Sequence, residues 1–146
     1  MGMLDSETVL ASAQVVTAET DNASTNSYDA GSANDSDLAL TGENLWITAL
    51  VNTTATSGGS ATIQAVLQDS ADDSSFADVL AGPPVAVASA TAGTILLQVQ
   101  PPPGLRRYIQ IVWRIGAAAL TGGKFDAFVS NTIPRNVQRP SGFTVA

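Results

Sequence analysis

Ala61-Thr-Ile-Gln-Ala-Val-Leu-Gln68 and Arg107-Tyr-Ile-Gln-Ile-Val-Trp-Arg-Ile115 decide the class of this chain. Both alternate with a period of two. In the first, Ala61, Ile63, Ala65 and Leu67 share one face, and Thr62, Gln64, Val66 and Gln68 share the other. In the second, Ile109, Ile111, Trp113 and Ile115 oppose Tyr108, Gln110, Val112 and Arg114. Alternation of this kind, rich in β-branched residues, marks half-buried strands.

The pattern recurs on either side. Residues 45–51 set Leu45, Ile47, Ala49 and Val51 against Trp46, Thr48 and Leu50, and residues 124–130 put Phe125, Ala127 and Val129 on one face. Residues 8–17 and 93–99 read as further strands, and 25–29 and 84–89 as weaker ones. The Ala content of 9–19 is compatible with helix, but Val15-Val16-Thr17 and the Ser/Thr density oppose it. Residues 70–79 leave room for one short helical turn. Between the strands lie turn formers: Ser57-Gly-Gly-Ser60, Ala81-Gly-Pro-Pro84, Pro101-Pro-Pro-Gly104 and Thr121-Gly-Gly123. Residues 21–37 read as a long polar loop. Seven or eight short strands with regular turns imply an all-β, single-domain antiparallel sandwich or barrel, and periodicity alone does not separate a jelly roll from an immunoglobulin-like order. The domain is expected over 1–130. Residues 131–146, with Pro134 and Pro140, read as an extended C-terminal arm.

Charge is distributed unevenly. The chain has 146 residues and a formal net charge of −7. No Lys or Arg occurs before Arg106, whereas Asp126 is the sole acid after it. An acidic body with a basic end suits docking against a partner or a sister copy. The negative total opposes general nucleic-acid binding, and no apolar run approaches the ~18 residues of a membrane span. A core built largely from Ala and Val, with few aromatics, leans toward an oligomer. The Gly2–Ser6 match to a myristoylation signal lacks a polybasic companion, and the sequons at Asn22, Asn34 and Asn52 lack a secretory signal, so both read as chance.

The catalytic inventory is short. There is no His and no Cys, which removes Ser-His and Cys-His nucleophile pairs, disulfides and thiolate metal sites. The single Lys, Lys124, reads as an exposed strand-start charge. Asp69, Asp72, Asp73 and Asp78 could in principle give a glycosidase pair or a Ca²⁺ site. Their segment is polar, however, and lacks the spacing of a calcium loop, so it reads as a solvated loop anchored by Phe76. No glycine loop carries the features of a phosphate cradle. Trp113 shares a face with isoleucines and reads as core, whereas Trp46 lies opposite Ile47 and is an interface candidate. No cofactor or metal is expected, and the chain is not expected to be an enzyme.

Several segments then fall into a recognisable order. The chain opens Met3-Leu-Asp-Ser-Glu-Thr-Val-Leu-Ala-Ser-Ala-Gln14 and has a Ser/Thr/Asn-rich stretch ending Tyr28-Asp-Ala-Gly31. Leu67-Gln-Asp-Ser-Ala-Asp-Asp-Ser-Ser-Phe76, Pro102-Pro-Gly-Leu-Arg-Arg-Tyr-Ile-Gln-Ile-Val-Trp113 and Leu120-Thr-Gly-Gly-Lys-Phe-Asp-Ala-Phe128 follow. Over residues 3–129 this order resembles the small capsid cement (decoration) proteins of tailed phages, the Bbp16-like group. The resemblance implies a jelly-roll β-sandwich, usually trimeric, on the outer face of an icosahedral head. It would bind after expansion and hold neighbouring capsomers together. The implied partners are the major capsid protein and two further copies of the chain, with no nucleic acid and no membrane. The implied location is the virion surface, after synthesis in the host bacterial cytoplasm. Contact candidates, to capsid or sister subunit, are Leu4, Asp5, Glu7, Trp46, Arg106, Arg107, Arg135 and Arg139. The arm after Val129 departs from the group, whose members tend to end near that point. The rival expectation is a carbohydrate-binding sandwich on the virion surface or tail fibre, using Trp46 and the acidic loop.

Overall fold

The computed structural model describes residues 8–30 and 45–130. Ten strands form in chain order: β1 (Val9–Val15), β2 (Asp21–Ala23), β3 (Tyr28–Asp29), β4 (Trp46–Thr56), β5 (Thr62–Ser70), β6 (Ala77–Ala81), β7 (Val85–Ala86), β8 (Ile95–Val99), β9 (Tyr108–Gly116) and β10 (Gly122–Ser130). All pairings are antiparallel. One sheet has the order β1-β10-β4-β8 and the other β2-β9-β5-β6, with β3 also on β9 and β7 also on β5. Among these eight principal strands every connection crosses between the sheets except β5 to β6. That alternation gives two interlocked Greek keys, the winding of a jelly roll.

The alternating faces explain the core. Ile47, Ala49 and Val51 of β4, Ile63, Ala65 and Leu67 of β5, and Ile109, Ile111 and Trp113 of β9 are fully buried, and Phe125 and Ala127 of β10 join them. The Trp113 and Phe125 rings meet at 5.1 Å across the sandwich. Trp113 spends its one donor on Gln14 Oε1 at 3.2 Å, which leaves a buried indole satisfied.

The sheets nearly touch at the start of the β6–β7 turn. Gly82 donates its N–H to the Ala65 carbonyl at 2.9 Å. A side chain there would put its Cβ 2.7 Å from the Leu96 carbonyl oxygen, so only glycine fits.

Three local expectations need correcting. Residues 71–75 form a bend and lead straight into β6, not into a helical turn. The 21–37 stretch is not loop throughout, because Asp21–Ala23 pairs with β9. Residues 84–89 hold only the two-residue β7, followed by a 3-10 turn at Val87–Ser89. The strand expected over 8–17 forms at Val9–Val15, and it carries a bulge. Ala13 adopts φ 48° and gives its N–H to Asp126 Oδ1 at 2.6 Å. Asn52 holds the other oxygen of Asp126 at 2.8 Å. A bulge at a sheet edge blunts unwanted strand pairing.

Candidate functional site

Strand direction sorts the loops between the two ends of the sandwich. β4 runs away from Trp46 and β5 returns to Ser70, while β8 ends at Val99 and β9 restarts at Tyr108. Ser70 and Tyr108 are register partners, as are Ser130 and Trp46, and Val9 and Phe128. Residues 8, 30, 45 and 130, the acidic 71–76 loop and the 100–107 proline turn therefore lie at one end. Of the expected contact residues, Trp46, Arg106 and Arg107 lie there. Leu4, Asp5, Glu7, Arg135 and Arg139 lie outside the described residues, but their segments join the domain at this end. Trp46 is half-buried on the face of β4 turned away from the core.

Arg106 and Arg107 are at this end too, but each is engaged within the chain. Arg106 closes around Asp69, the penultimate residue of β5. Its N–H reaches Oδ2 at 2.9 Å, its Nε and Nη2 reach Oδ1 at 2.9 and 2.7 Å, and Nη2 also reaches the Asp69 carbonyl at 2.6 Å. The Asp69 side chain is 10 % exposed. Its burial pushes the carboxyl pKa up, but the hydrogen bonds and charge of Arg106 outweigh this and hold it below the ordinary value. Arg107 makes a fork to Asp29 with 2.7 and 2.8 Å bonds and lies 4.9 Å from the Tyr108 ring centroid. This pair is open to water, with 43 % and 45 % side-chain exposure.

Further along β9, Arg114 forks to Asp21 at 2.7 and 2.9 Å and reaches Asp78 at 3.1 Å. Gln68 links Asp78 to Gln110. The result is a polar ladder over the outer face of the six-stranded sheet. Val66 and Val112, on the same face of these strands, are buried although they face away from the core. Reading β5 and β9 separately placed these two valines outward correctly, but could not show that they are buried.

The acidic loop is closed on itself. Asp72 Oδ1 accepts the Ser70 hydroxyl at 2.7 Å and the Ser74 and Ser75 N–H groups at 3.0 and 2.8 Å. These donors, led by the Ser75 N–H, hold its carboxyl far below the usual range. A glycosidase acid needs the opposite shift. Asp73, in a left-handed conformation at φ 59°, accepts the Ser27 hydroxyl and so ties the loop to the segment before β3. Among the described residues no group of three or more His, Cys, Asp or Glu is placed to hold a metal ion.

The pairs Arg106–Asp69, Arg107–Asp29 and Arg114–Asp21 were missed in the sequence, although their geometry is simple. Asp29 opposes Tyr108, next to Arg107, and Asp21 opposes Arg114. The signal would have been recognition of β2 and β3 as partners of β9. Among the described basic residues only Lys124, exposed on β10, makes no ion pair.

Comparison with known families fits this architecture. The sequence model of the Bbp16 family, a phage-related family, matches residues 10–129. That span runs from β1 into β10 and ends before residues 131–146. No curated protein matches the chain. The chain belongs to the Bbp16 family.

Proposed function

We propose that this chain is a structural virion protein, a cement protein that binds the outer surface of a phage capsid as a homotrimer and bridges neighbouring capsomers of the expanded head. The observation that carries the reading is the family match across the whole jelly roll, set beside the polarity of that jelly roll. Both terminal segments and the 31–44 connection join a single end. A rigid sandwich whose further segments are attached at one end can seat on a surface there and reach sideways to neighbours.

The ion pairs refine the contact set. Arg106 and Arg107 are committed to Asp69 and Asp29, so their main service is to fix the 100–107 turn. Of the remaining cations, Arg135 and Arg139 lie in the tail. They become the leading candidates for pairing with acidic groups of the capsid. Three weak contacts presented by one trimer combine through effective concentration, which allows firm seating without any single strong site.

The test uses expanded heads stripped of the protein. The full-length double variant Arg135→Glu, Arg139→Glu should show reduced occupancy while its circular dichroism is unchanged. Occupancy equal to that of the parent protein would remove the tail from the contact set.

A further inference from the structure

One flank of the sandwich combines two open sheet edges with an absence of charge. β6 and β7 together line the free side of β5, and β8 is the last strand of the other sheet. The two edges lie on the same side of the molecule, because Gly82, which follows β6, sits against the Leu96 carbonyl of β8. All five residues of β6 are exposed. Four large apolar side chains are exposed among the described residues, and three of them are here: Val79 at 38 %, Leu80 at 39 % and Ile95 at 47 %. Residues 79–105 contain no charged side chain. The single charge of β6, Asp78, is held by Gln68 and Arg114 on the outer face of the sheet. Absence of charge is not enough by itself. Residues 45–68 have none either, but the exposed ones there are Asn, Thr, Ser and Gly. A solvent-facing edge is ordinarily defended by charged side chains, bulges or both. Here bulges alone do it: the ladder slips by one residue at Val79 in β6 and at Leu96 in β8. Bulges stop further strands from adding to a sheet, yet they leave the apolar side chains open to packing.

We infer that this flank is the contact between copies of this chain, packed flank to flank through Val79, Leu80 and Ile95. The inference rests on the homotrimer proposed above and names the surface that joins its copies. Charge selects the occupant. The chain carries a net −7, so two copies repel each other along any face that presents their acids. On this flank their surfaces meet with no free carboxylate between them. A partner of opposite charge would find no group there to pair with, whereas a second copy brings the same uncharged, apolar surface. Position agrees. The flank runs along the side of the sandwich, whereas residues 8, 30, 45 and 130 lie at one end. A copy alongside therefore leaves that end free to seat on a capsid. The bulges favour a closed assembly held by side chains over an open-ended β-ladder.

Analytical ultracentrifugation of the full-length protein reads the contact. The parent should sediment as an oligomer, and the double variant Leu80→Asp, Ile95→Asp as a single chain with unchanged circular dichroism. Val15→Asp, which alters an exposed apolar side chain on the opposite edge of the sandwich, should sediment like the parent. Hydrogen exchange of the parent needs no substitution. Amides of residues 79–95 should gain protection as concentration rises through the association range, and those of residues 52–60 should not. A parent that stays a single chain, or a double variant that keeps the parent's mass, would overturn the inference. A double variant that keeps that mass but no longer binds expanded heads would assign the flank to the capsid instead. Failure of the cement reading is separate: an oligomeric parent that binds no heads would remove that reading and leave this contact standing.

Discussion

Asp69 is the residue on which the proline turn depends, and its replacement by Ala gives the most exacting check of the architecture. The substitution removes the acceptor of two Arg106 side-chain bonds and of the Arg106 N–H. It leaves the bond from Nη2 to the residue-69 carbonyl available. Charge-assisted bonds contribute roughly 1.5–3 kcal/mol each when isolated, but here they share one carboxylate and one partly solvated guanidinium, so the net loss is about 2 kcal/mol. For a domain of this size that corresponds to a fall in Tm of about 4–8 °C. The pH dependence follows from the depressed carboxyl. Asp69 stabilises the fold above its ordinary value of 3.8, and that contribution is lost as pH falls through the lower value it has when folded. The gap between parent and Asp69→Ala should therefore be full at neutral pH and shrink in strongly acid solution. Asp29→Ala is the control. It breaks an equally well-formed fork, but one exposed to water, and should barely move Tm. Urea unfolding of all three proteins at neutral and acid pH reads the effect. Equal losses for Asp69→Ala and Asp29→Ala, or a gap that does not change with pH, would refute the reasoning.

Three further outcomes are expected. Trp113→Ala should cost about 3–5 kcal/mol, because it empties a fully buried site against Phe125, and the urea midpoint checks it. Ala13→Gly should stabilise by roughly 0.5–1 kcal/mol, since only the left-handed backbone changes its cost; a lower Tm would show that the bulge does not need φ 48°. Gly82→Ala should destabilise clearly, because its Cβ would meet the Leu96 carbonyl at 2.7 Å, and an unchanged Tm would contradict the close approach of the sheets.

The fold was legible where side chains alternate cleanly. The assignments of Ile63, Leu67, Ile109, Trp113 and Phe125 to the core face follow from period two alone, because a buried interface on one side of a strand leaves no other arrangement. β2 was not legible. Asp21-Asn-Ala23 has little strand preference; it pairs because β9 offers an open edge and because Asn22 Nδ2 bonds the Ala18, Thr20 and Trp113 carbonyls. β6 was hidden similarly behind the Ser/Asp bend that precedes it. The ion pairs join residues 37, 78 and 93 positions apart, so they emerge only once strand order is known. The same order showed that residues 8, 46, 106, 107 and 130 lie at one end, which their scatter along the chain concealed. It also changed the meaning of Arg106 and Arg107. As a doublet after a proline turn they read as candidate contacts to capsid or sister subunit, and in the fold they brace that turn.

The central claim is that this jelly roll binds a capsid surface that exists only after expansion. The most direct measurement is co-sedimentation of the purified full-length protein with expanded heads stripped of it, beside unexpanded procapsids. Saturable binding to expanded heads alone is the predicted result. Absence of binding to either particle, or equal binding to both, would contradict the account.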